Sequence, residues 1–92
     1  MSKYIILPYS YMKAKELGVD IMVSTNPKKK IDVFKHGKKI CSIGGAGYND
    51  YPHYLLVDKE LAQEHRARYK ARHHKDRLHV GSPGWYADKI LW

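Results

Sequence analysis

The chain has 92 residues, with 17 Lys or Arg against 9 Asp or Glu, a formal charge of +8 and a pI near 9.6. This length makes one small domain and excludes a large multi-domain enzyme. The charge favours an anionic partner, with nucleic acid first, an acidic protein surface second and a membrane surface third. The single cysteine, Cys41, excludes an intramolecular disulfide framework and points to a reducing compartment. "KYIIL" is too short for the core of a secretion signal or for a membrane span, so the expectation is a soluble intracellular protein, or one packaged in a larger particle.

In chain order, "SYMKAKELGV" predicts a short helix with Ser10 as N-cap, Met12 and Leu17 inward, and Gly18 closing it in the left-handed conformation. "VDIMVS" follows as a short strand. "KIDVFKHGKKICSIGG" predicts a β-hairpin: Ile31, Val33, Ile40 and Ile43 are among its apolar positions, and Gly37 can take the positive φ that a tight turn needs. After the loop "GGAGYND", Asn49 or Asp50 can cap a new helical segment with Pro52 in its first turn. Asp58 caps or continues a long helix reaching about Arg77, and Ser82 with Pro83 opens a closing helix. The expected fold is α+β, a small antiparallel hairpin or sheet packed against two or three helices in a single domain.

Two clusters hold most of the positive charge. Lys28, Lys29, Lys30, Lys35, Lys38 and Lys39 surround the hairpin, opposed by Asp32; Arg66, Arg68, Lys70, Arg72, Lys75 and Arg77 follow one another along the long helix. Arginine forks match phosphate or carboxylate geometry, whereas lysines act as point charges, so together the clusters suggest a surface that tracks phosphates. A lysine-rich hairpin also serves simply as an edge that resists aggregation. At about 100° per residue, Leu61, Ala62, His65, Tyr69 and His73 form one stripe of the helix, and Ala67, Ala71, His74 and Leu78 form another roughly opposite. Arg66, Lys70 and Arg77 fill one gap between the stripes; Arg68, Arg72 and Lys75 fill the other. Tyr69 is therefore expected in the core, while Ala67 and Ala71 offer a contact surface.

Other chemistry is weaker. The six histidines lack a metal-binding pattern, since His73 and His74 point apart on a helix and there is no H-E-x-x-H. "HHKDRLH" contains the residue types of a metal-dependent nuclease, but nothing in the spacing arranges them. Cys41 alternates with apolar strand residues and reads as a small core residue. "GGAG" lacks the Lys-Ser/Thr of a phosphate loop. Trp85 and Trp92 share a helix face, suited to core packing, to a subunit or partner interface, or to stacking on bases.

The runs "KKIDVFKHGKKICSIGGAGYNDYPHYL", "ARYKARHHKD" and "GSPGWYADKILW", preceded by "AKELGVDIMVSTNPKK", resemble a group of small basic proteins of giant nucleocytoplasmic large DNA viruses, the mimivirus- and phycodnavirus-like lineages. The resemblance implies a viral origin and a place in the cytoplasmic factory, the host nucleus or the virion. It supplies no activity and no catalytic residues. The expected function is a non-enzymatic module that contacts the phosphate backbone of nucleic acid, duplex DNA foremost, in viral DNA binding or packaging, with no cofactor. The alternatives are a minor capsid or virion protein using the basic helix and terminal aromatics against acidic neighbours or copies of itself, and a small metal-dependent nuclease.

Overall fold

A computed structural model describes residues 4–92, which leaves Lys3 of the "KYIIL" run outside it. Helix α1 (Pro8–Leu17) leads into strand β1 (Asp20–Val23), then β2 (Lys29–Lys35) and β3 (Lys38–Gly45), then α2 (Tyr51–Leu55), α3 (Lys59–Arg72), a 3-10 turn (Asp76–Leu78) and α4 (Pro83–Leu91). The three strands form one antiparallel sheet in the order β1-β2-β3. The expected α+β domain is thus present; the segment at Pro52 stands as a helix of its own before α3, which makes four α-helices rather than two or three. Among the described residues no helix is long and apolar enough to cross a membrane.

The hairpin forms where its turn chemistry allows. His36 and Gly37 both have positive φ, 53° and 79°, the two-residue turn whose twist matches its flanking strands. Ile31, Val33 and Ile43 are almost fully buried. Ile40 is not: Val33 pairs with Cys41 and Phe34 with Lys39, so Ile40 is the extra residue of a bulge and lies 46% exposed. The bulge reconciles two apolar runs whose alternation is out of step.

Helix α1 begins earlier than expected. Leu7 is extended, as a residue before proline must be, and Pro8 starts the helix. Ser10 is therefore not the cap: it is buried within the helix and donates its hydroxyl to the Ile90 carbonyl at 2.9 Å. The inward stripe becomes Ser10, Ala14 and, half-buried, Leu17, which leaves Met12 exposed rather than in the core. Gly18 ends the helix at φ 72° as predicted.

The caps of the later helices follow the sequence reading. Asp50 accepts from the His53 N–H, Asp58 from the Glu60 and Leu61 N–H groups, and Ser82 from the Trp85 N–H. Helix α3, however, stops at Arg72 instead of reaching Arg77. The chain turns back there: Arg77 donates its Nε to the Lys70 carbonyl at 3.2 Å, satisfying one of the free carbonyls at the helix end. The 3-10 turn then packs on the start of α4, where Gly84 is required because a Cβ would come within 2.9 Å of Asp76.

Candidate nucleic-acid interface

Helix α3 packs as its first stripe predicts, with Ala62 and Tyr69 buried and Leu61, His65 and His73 half-buried. Ala67 and Ala71, on the second stripe, are exposed and take no part in the core. The two basic flanks meet different surroundings. Arg66 donates its Nε to the Trp92 main-chain oxygen at 2.6 Å and a terminal nitrogen to the Tyr9 hydroxyl at 3.3 Å, and its guanidinium lies 4.1 Å from the Tyr51 ring centroid. Lys70 pairs with the buried Asp88 at 2.8 Å. With Arg77 capping the helix, every cation of this half-buried flank is bonded to a group of the domain itself. Arg68, Arg72 and Lys75 are exposed and have no ion-pair partner among the described residues.

The hairpin lysines divide as well. Lys30, expected on a phosphate surface, is 3% exposed and pairs at 3.1 Å with the fully buried Asp50. Asp50 also accepts the Tyr4 hydroxyl at 2.6 Å and His53 Nδ1 at 2.7 Å, so four donors, including the capped N–H, converge on one carboxylate. Burial alone would raise the Asp50 carboxyl; the Tyr4 hydrogen bond, the Lys30 charge and His53 outweigh it and hold the group below the usual carboxylate range. Burial pushes Lys30 down, against the pull of Asp50. Lys39 is exposed but lies 3.4 Å from Asp32. Asp32 is covered by its immediate neighbours, and Ser24 and Ser42 each donate to it at 2.6 Å. These bonds, the Thr25 N–H and Lys39 overcome the effect of burial and bring its carboxyl down to about 2.

Lys28, Lys29, Lys35 and Lys38 remain exposed without ion pairs among the described residues. Lys29 opens β2 and Lys35 closes it, so the tip lysines Lys35 and Lys38 stand about 20 Å from Lys28 and Lys29. The hairpin cluster is therefore two separate patches.

One of them meets the arginine helix. Lys29 and Arg72 both line a cleft of about 620 Å³ between the end of the sheet, α3 and α4. Gly44 and Gly45 form its sheet wall. Gly44 has φ 76°, and a Cβ there would collide with Leu91 at 2.8 Å and with Lys30 at 2.9 Å, so the buried Lys30–Asp50 pair backs this wall. The opposite walls are aromatic. Tyr54 and His65 stack at 4.0 Å and 3°, and Tyr69 stacks on Trp92 at 4.5 Å and on His73 at 4.4 Å.

The chain matches no protein-family model, no curated protein and no solved structure.

Trp92, expected at a partner interface as well as in the core, is 9% exposed and packs within the domain, one face against Tyr69. Trp85 is half-buried, edge-on to Tyr86. Burial pushes the Tyr69 hydroxyl up to about 12, with Asp88 and Asp76 adding to the shift, so it stays protonated. Burial likewise raises the Cys41 thiol, in keeping with a structural residue. Among the described residues no group of three or more His, Cys, Asp or Glu side chains could hold a metal ion. The aromatic cleft and the Asp50 network escaped the sequence reading. The Tyr54, His65, Tyr69 and His73 rings stand in the sequence as a visible signal, but nothing local brings β3 and Trp92 to face them.

Proposed function

We propose that this protein is a basic, non-enzymatic nucleic-acid-binding module, in keeping with a role in viral DNA binding or packaging. Lys28, Lys29, Arg68, Arg72 and Lys75 contact phosphates. The observation that carries this reading is the shared cleft: Lys29 from the hairpin cluster and Arg72 from the helix cluster line the same opening. Arg66, Lys70, Arg77 and Lys30 have structural duties instead, and Lys35 and Lys38 form a second, outlying patch. Arg72 also suits the negative end of the α3 dipole, but Lys29 has no such role. Five phosphate contacts give a slope of log affinity against log salt of about −4.5 on duplex DNA and about −3.5 on a single strand. A salt titration of binding to duplex DNA, single-stranded DNA and RNA tests the proposal. A slope near zero, or no binding at low salt, overturns it.

A protein partner is the second reading, as for a minor virion component. It is favoured by the exposure of Ala67 and Ala71 and of the apolar Leu78 and Val80, 56% and 75% exposed. Concentration-dependent light scattering that disappears in Ala67→Glu would support contacts between copies; a monomer at every concentration removes that form of it.

A further inference from the structure

Phosphate tracking needs only a charged surface, yet Lys29 and Arg72 line an aromatic cleft. Its volume of about 620 Å³ falls within the range of small-ligand sites. The Tyr54–His65 pair and the Trp92–Tyr69–His73 stack are held ring against ring, so their positions are set before any ligand arrives. Tyr48 differs from these. It lines the same cleft, is 77% exposed, and its ring lies over Gly45, where an added Cβ would come within 3.2 Å of it. An exposed aromatic ring beside Lys29, in a cleft that Arg72 also lines, combines the two elements of single-strand recognition: a stacking platform and a cation for the adjoining phosphate.

We infer that the cleft receives an unpaired nucleobase, stacked on Tyr48, while Lys29 and Arg72 hold the flanking phosphates. This rests on the nucleic-acid reading above and narrows it to single strands, because the bases of an intact duplex are already paired and stacked. The shared chemistry is a planar base carrying a phosphate, which free nucleotides also offer.

The test compares a 15-residue oligothymidylate with an abasic 15-mer carrying the same phosphates, with TMP as a third ligand. The protein is used as Trp85→Phe, so that Trp92 alone reports the cleft by fluorescence. The expected result is oligothymidylate binding about 5- to 150-fold tighter than the abasic strand, the range for stacking one base. It quenches Trp92, which the abasic strand does not, and TMP binds far more weakly than the oligomer. Tyr48→Ala removes the preference and leaves abasic-strand binding unchanged, which also shows that the variant is folded; Tyr48→Phe retains the preference. Equal binding of both strands with a steep salt slope overturns the inference and leaves the phosphate reading standing. TMP binding with no preference for the oligomer over the abasic strand also overturns it. Failure of every strand to bind at low salt overturns both.

Discussion

Arg66 and Arg68 are neighbours on α3 with the same side chain, and they do opposite things. Arg66 ties the helix to Trp92, Tyr9 and Tyr51, while Arg68 is exposed with no ion-pair partner among the described residues. The pattern extends along the helix, with Lys70 paired to buried Asp88 on one flank and Arg72 lining the cleft on the other. It recurs in the hairpin, where Lys30 is buried on Asp50 and the adjacent Lys29 is exposed. A count of cations therefore overstates the surface available to an anion. What separates a structural cation from an exposed, unpaired one is whether a distant part of the chain brings it a carboxylate, a carbonyl or a ring.

Substitutions can break this division. The largest effect is expected at Asp50. Asp50→Ala strands Lys30 as a buried unpaired charge and removes the cap of α2, so urea denaturation should show a loss of about 3–5 kcal/mol. A result below about 1 kcal/mol would mean that Lys30 escapes to solvent and belongs with the exposed lysines.

Acid attacks the same inner set. Asp32 and Asp50 have folded-state values below the unfolded one, so the unfolded chain binds protons first as pH falls. The Asp32 contribution is complete above about pH 5 and is lost as pH falls toward its folded value of about 2, and Asp50 adds a loss in the same direction, which should appear as a fall in Tm on acidification. Asp32→Asn should flatten part of this fall.

Removing an inward cation comes next. Lys70→Ala leaves Asp88 buried without its partner, and Arg66→Ala leaves the Trp92 oxygen without its donor; each should cost about 1–3 kcal/mol by denaturation. The smallest stability effects belong to the outer flank. Arg68→Ala, Arg72→Ala and Lys75→Ala should each stay within about 0.5 kcal/mol of the parent, while each lowers the salt slope by about 0.9 on duplex DNA and about 0.7 on a single strand.

The sequence is legible where the physics is local. The His36–Gly37 turn, the Asp50, Asp58 and Ser82 caps, the Gly18 terminus and the Ala62–Tyr69 stripe depend on residues a few positions apart, and all are present. The start of α1 was also open to a local reading, since Pro8 is a better first-turn signal than Ser10. Other features depend on partners far along the chain. Lys30 and Asp50 are 20 residues apart, Lys70 and Asp88 18, and Arg66 and Trp92 26, so no periodicity separates these cations from their exposed neighbours. The end of α3 at Arg72 depends on Gly84 admitting the 3-10 turn against α4. The bulge at Ile40 is written in the sequence as an interruption of alternation, but its position is set by the pairing of β2 with β3.

The most direct test of the outer surface is the salt dependence of binding to a single strand, measured for the parent chain and for the triple variant Arg68→Ala/Arg72→Ala/Lys75→Ala. The slope should fall from about −3.5 to about −1.4 while Tm is unchanged. An unchanged slope in a folded triple variant would contradict the phosphate reading, because the outer flank of α3 would then not meet the phosphates.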